Sequence, residues 1–100
     1  MAQIEALRIG DRVPVGRYWE QTFQVVLPGG AALDEWIDTG FDEIVTVVGC
    51  IVILSSISDP EFPLFSLNTA GIEEPPATGA LGIASSSEET VHITVRGKGA

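Results

Sequence analysis

Between Tyr18 and Val95 the chain has no lysine and no arginine, although twelve aspartates and glutamates fall in that stretch. Its five cations lie near the ends, at Arg8, Arg12, Arg17, Arg96 and Lys98, and the net charge is −9. Such a balance excludes nucleic acid as the expected partner, because a phosphate backbone needs clustered cations. It excludes an anionic membrane surface for the same reason. A single cysteine, Cys50, excludes an intramolecular disulfide. Cys50 sits in the apolar run VVGCIVIL with no cation or histidine nearby in sequence, so it reads as a small buried hydrophobe. No run reaches the ~18 apolar residues of a bilayer-spanning helix, and the best one, Ile44 to Leu54, is broken by Gly49. The start, MAQIEALRIGD, lacks a basic segment followed by an apolar core, so no secretory leader is expected.

Catalytic groups are equally scarce. One histidine and one cysteine do not furnish a zinc site. The densest acidic group, Asp34, Glu35, Asp38, Asp42 and Glu43, does not follow the ligand spacing of a calcium-binding EF-hand loop and reads as a solvated rim. The only candidate base, His92, falls in mid-strand on the polar side of an alternating pattern. The preceding Ser85, Ser86 and Ser87 lack the strand-turn-helix context of a nucleophile. Gly29-Gly30 is a turn, and no glycine-rich phosphate loop occurs. The expectation is a chain with no enzymatic activity, no metal and no cofactor.

What the chain does have is aliphatic residues in strand periodicity. Ten isoleucines, ten valines and seven leucines are a large stock for one domain of 100 residues. At the end of the chain Val91, Ile93 and Val95 alternate with Thr90, His92, Thr94 and Arg96, the pattern of a half-buried strand. A second long strand is expected over Arg17 to Leu27, with Trp19, Phe23, Val25 and Leu27 on one face, stopped by Pro28-Gly29-Gly30. Trp36 is expected to face Trp19 across the core. Glu43 to Ser55 is apolar on both sides: Ile44, Val48, Cys50, Val52 and Leu54 against Val45, Val47, Ile51 and Ile53. Such a strand lies inside a sandwich or is covered by a partner, and Gly49 marks a bulge or bend in it.

Shorter strands are expected at Gln3 to Ile9, Leu33 to Asp38, Pro63 to Leu67 and Ala80 to Ser85, with Ser85 to Glu89 as a solvated turn. A single helical turn near Ala31 to Trp36 is the one helical possibility. The sum is an all-β fold: a single-domain antiparallel β-sandwich or jelly-roll-like barrel over residues 17–100. Residues 1–16, interrupted by Gly10, Pro14 and Gly16, form an N-terminal arm or an edge segment.

An acidic body with basic ends and more apolar residues than a small core can hide suits attachment to a neighbour. Two segments carry a resemblance. Trp36-Ile37-Asp38-Thr39-Gly40-Phe41-Asp42-Glu43-Ile44 leads into a valine-rich strand, and the chain closes on Val91-His92-Ile93-Thr94-Val95-Arg96-Gly97. Together with Arg8-Ile9-Gly10-Asp11-Arg12-Val13-Pro14-Val15-Gly16-Arg17, they resemble small all-β structural proteins of tailed bacteriophages, capsid decoration (cement) proteins among them. The resemblance implies a virion part assembled in the host cytoplasm, often trimeric, held by the major capsid protein or another virion protein. It carries no residue roles. Arg8, Arg12 and Arg17 are the expected partner-binding residues, reaching acidic groups on a neighbour. A tail or neck component of the virion is the nearest alternative. A carbohydrate- or receptor-binding β-sandwich is the alternative from another class, although Tyr18 and Trp19 point to opposite faces of a strand and make no common platform.

Overall fold

The computed structural model describes residues 2–28, 35–55, 63–67, 79–84 and 88–99. Among them are eight strands and no helix: β1 (Ala2–Gln3), β2 (Ala6–Val15), β3 (Tyr18–Pro28), β4 (Glu35–Asp38), β5 (Glu43–Ser55), β6 (Leu64–Leu67), β7 (Ala80–Ala84) and β8 (Glu88–Lys98). They form two four-stranded sheets, ordered β1-β4-β7-β6 and β2-β3-β8-β5. All pairings are antiparallel except the short β1–β4 contact. The fold is therefore the all-β sandwich that the alternation predicts. Of the helical possibility, residues 31–34 lie outside the described residues, and Glu35 and Trp36 are in β4.

The inner faces of both sheets meet in one core. Phe23, Val25 and Leu27 from β3 and Val91, Ile93 and Val95 from β8 pack with Ile44 of β5. Ile37 of β4 and Leu81 and Ile83 of β7 close it from the other sheet. The two sheets are unequal. The strands of the β2-β3-β8-β5 sheet run 10, 11, 11 and 13 residues, whereas no strand of the other sheet exceeds 5. The long sheet therefore overhangs its cover, which explains why Trp19, although in phase with Phe23, is 40% exposed. Trp36 does not face it across the core. Ile37 occupies the inward position on β4, so the neighbouring Trp36 falls on the outer side, half-buried.

Two further expectations are corrected. Glu88 and Glu89 belong to β8 and not to a solvated turn; residues 85–87 lie outside the described residues. The alternation runs two residues further towards the N-terminus of β8 than expected, which carries Glu89 inward in phase with Val91. In β5 the register against β8 shifts three times, between Ile44 and Thr46, Val47 and Gly49, and Val52 and Leu54. Each extra residue inverts the facing of those that follow. Val47 consequently joins Cys50 and Val52 against the core, and Val48 is exposed.

The β4–β5 connection carries the chain from one sheet to the other and is fastened at each step. Thr39 is buried; its amide and hydroxyl both donate to the Gly79 carbonyl, at 3.1 and 2.7 Å. The same hydroxyl accepts from the Phe41 amide at 3.3 Å. Phe41 is buried against Gly97 and Gly79, where a side chain on either glycine would collide with it. Thr39→Val is expected to cost about 1–3 kcal/mol of stability, because a buried carbonyl and amide lose their hydroxyl partner. Urea denaturation measures it, and Thr39→Ser, which keeps the hydroxyl, should avoid most of the loss. An unchanged midpoint for Thr39→Val would show that the hydroxyl contributes nothing.

Candidate interaction surface

The outer face of the β2-β3-β8-β5 sheet is the most distinctive surface of the described residues. Its middle is a ladder of cross-strand polar pairs between β3 and β8, placed by the register Glu20–Arg96, Thr22–Thr94 and Gln24–His92. Arg96 donates to Glu20 Oε2 through Nε and Nη2, at 2.9 and 2.6 Å. Thr22 and Thr94 share a hydroxyl hydrogen bond of 2.9 Å, and His92 Nε2 donates to Gln24 Oε1 at 3.0 Å. Among the described residues the hydrogen-bond partner of His92 is the Gln24 amide.

Aliphatic side chains flank the ladder on both sides. On the β2 side Leu7, Ile9 and Val13 are 60%, 36% and 53% exposed, joined by Val26 at 60%. Along β5 Val48, Ile51 and Ile53 are 48%, 63% and 52% exposed. Both flanking strands are sheet edges. They are guarded differently. β2 carries Pro14, a register break between Ile9 and Val13, and charged residues. β5 has no charge and no proline from Ile44 to Leu54, and among the described residues it is interrupted by three register shifts.

The three arginines singled out from sequence are not brought together as one patch. Arg12 lies over the Phe41 ring, 4.3 Å from its centroid, and donates to the Gly99 carbonyl at 3.2 Å. Arg8 reaches the Gly40 backbone. Both clasp the β4–β5 connection of their own chain. Arg17 stands in the two-residue β2–β3 turn behind Gly16, whose φ of +62° suits the primed turns of tight hairpins. Arg17 is exposed and has no ion pair among the described residues. The ion pairs Arg96–Glu20 and Lys98–Glu43 occupy the same end of the sheet. The opposite end carries Glu5, Glu88 and Glu89 and no cation among the described residues.

The acidic group around β4 is dispersed. Asp34 lies outside the described residues, and Glu35 is half-buried on the core side of β4. Asp38 accepts from the Gly40 amide at 2.9 Å, and Glu43 pairs with Lys98 at 3.2 Å. Among the described residues no group of three or more histidines, cysteines or carboxylates is placed to hold a metal. Cys50 faces the core beside Glu89. Burial, and then the Glu89 charge, push its thiol above the ordinary range. A thiol pKa raised by folding adds stability that is present below the unfolded value and lost as pH climbs through the folded one. The expected result is slow alkylation of native Cys50 and an alkaline loss of stability that Cys50→Ala removes. Alkylation as fast as in the unfolded chain would contradict this placement.

Comparison with protein-family models, with curated proteins and with solved structures gives no match. The surface itself is what bears on function: apolar rims around polar groups that are already paired. The β5 aliphatics lie in a run legible in the sequence, but their facing could not be read, because the register shifts are invisible there; Leu7, Ile9 and Val13 recur without a firm period.

Proposed function

We propose that this chain is a non-enzymatic virion structural protein, a homo-oligomeric capsid decoration protein that binds and stabilises the head shell of a tailed bacteriophage. The observation that carries the reading is the banded outer face, where aliphatic rims stay exposed while the polar side chains between them satisfy one another. A surface of that kind gains by being covered and offers nothing to a substrate. The phage-like segments Trp36–Ile44 and Val91–Gly97 supply the choice of virion over other assemblies. Interface area of a few hundred Å² is worth several kcal/mol at about 25 cal/mol per Å² before ordering costs, and a shell repeats it many times.

The test is a binding assay with capsid shells. The purified protein is expected to bind assembled, expanded shells and not free capsid subunits, and to raise the temperature at which particles release DNA. Equal release from decorated and bare particles would remove the stabilising role. Glycan binding by the isolated protein, with no binding to shells, would move the assignment to a carbohydrate- or receptor-binding module.

A further inference from the structure

We infer that the outer face of the β2-β3-β8-β5 sheet is covered by a second copy of this chain, packed face to face about a two-fold axis that crosses the strands at the Thr22–Thr94 hydrogen bond. The inference deepens the reading of the chain as an assembly module, but it does not depend on the capsid.

An aliphatic rim, a polar ladder and a second aliphatic rim make a pattern that is symmetric about its own middle. A two-fold axis in the plane of such a face, directed either along or across the strands, sets apolar on apolar and polar on polar, as an isologous interface requires. Few foreign surfaces would repeat that order at the same spacing. The polar groups in the middle are hydrogen-bonded to one another in pairs before contact, which lowers the cost of covering them; the remaining sites, such as Glu20 Oε1 and the Gln24 amide N–H groups, are left for the mate or water.

Register then chooses between axes. Leu7 is level with Gln24, Ile9 with Thr22 and Val13 with Glu20, while Gly49 is level with Thr94. An axis across the strands at Thr22–Thr94 lays Leu7 of one copy over Val13 of the other, with Ile9 beside the axis. It lays each neutral Gln24–His92 pair over the Glu20–Arg96 ion pair of the mate. Charge favours the same axis. One end of the sheet carries the exposed Glu5 and Glu88 with no cation among the described residues; at the other, Arg96 and Lys98 are paired with Glu20 and Glu43, and Arg17 is an exposed cation with no ion pair among the described residues. An axis along the strands would stack the two acidic ends. The axis across them separates the two acidic ends and brings Arg17 of one copy near Glu5 of the other on the β2–β3 side.

The area is adequate. Eleven-residue strands and four-strand width give about 35 by 19 Å, or roughly 650 Å² per copy. A standard interface buries about 800 Å² per partner.

Sedimentation of the isolated full-length protein tests the inference without any shell. A dimer at micromolar concentration is expected. Ile51→Glu and Leu7→Glu, on opposite rims, should each weaken it about 100-fold or more, with unchanged far-UV circular dichroism because both side chains are exposed. Arg17→Glu should weaken it about tenfold, and Glu5→Arg added to Arg17→Glu should restore it. A stable monomer at about 100 µM or a trimer would overturn the proposal, and so would a dimer indifferent to both rim substitutions. A dimer broken by the rim substitutions in which charge reversal brings no recovery would overturn the crosswise axis. None of these outcomes alters the shell-binding assay, which stands or falls on binding alone.

Discussion

Phe41→Ala is expected to lower the free energy of unfolding by about 3–5 kcal/mol, a large share of the ~5–15 kcal/mol available to a domain of this size. The ring is 4% exposed and sits where the chain crosses between sheets. Gly97 and Gly79 leave room for it on two sides, and Arg12 lies over its face. Removing it leaves a void bordered by backbone, which closes poorly because strands β4, β7 and β8 are pinned by their own ladders. Arg12 also loses its cation–π partner. Urea denaturation followed by circular dichroism gives the number. Phe41→Leu, which refills most of the volume, should lose about 1–2 kcal/mol. A loss under about 1 kcal/mol for alanine would mean that the corner relaxes and that the two sheets are held elsewhere.

Removal of residues 1–15 is expected to abolish folding. An arm that ordered only on a partner could be cut away with the sandwich intact, but Ala6–Val15 is paired with β3 from Ala6↔Val25 to Val15↔Tyr18. Its loss would expose that whole strand edge. It would also strand Gln21, which is 3% exposed and whose amide donates to the Ile9 and Gly10 carbonyls at 3.3 and 3.1 Å. The amide keeps the Thr22 carbonyl at 3.2 Å, so the larger cost is the lost β2–β3 ladder. The departure of Ala6, Arg8 and Arg12 from the core margin and the β4–β5 corner adds to it. Proton-amide NMR dispersion of the truncated protein measures the outcome. A well-dispersed spectrum would restore the arm reading.

The strands were legible wherever alternation was unbroken. β3 and β8 follow their apolar period except at the buried Gln21 and Glu89, whereas the hairpin was not legible: Arg17 was expected in a strand and Gln3 to Ile9 as one, but β2 runs Ala6–Val15 and turns at Gly16-Arg17. β5 was legible as a strand but not in its facing. Hydropathy of Ile44 to Leu54 is uniform, so nothing in the residue types shows where an extra residue is inserted. Glu89 was misplaced because a charged residue at a strand end reads as solvent-facing, whereas phase with Val91 carries it inward. The Thr39–Gly79 lock joins residues forty positions apart, and no local pattern announces such a contact. The same holds for Arg8 and Arg12. Their charge pointed outward to a neighbour, but the closeness of the β4–β5 connection gives them internal partners that only the tertiary fold reveals.

The three register shifts of β5 bear on how far this chain can polymerise. A long edge strand without charge or proline would ordinarily zip onto its like and go on doing so, and the product would be a fibre. Irregular spacing of its amides and carbonyls denies that strand a straight template, while leaving its aliphatic side chains free to be covered from the face. Straightening it, for example by deleting Val48, should therefore convert a soluble protein into one that forms thioflavin-positive aggregates on concentration. In the proposed dimer the bulges would be what stops self-association at two copies.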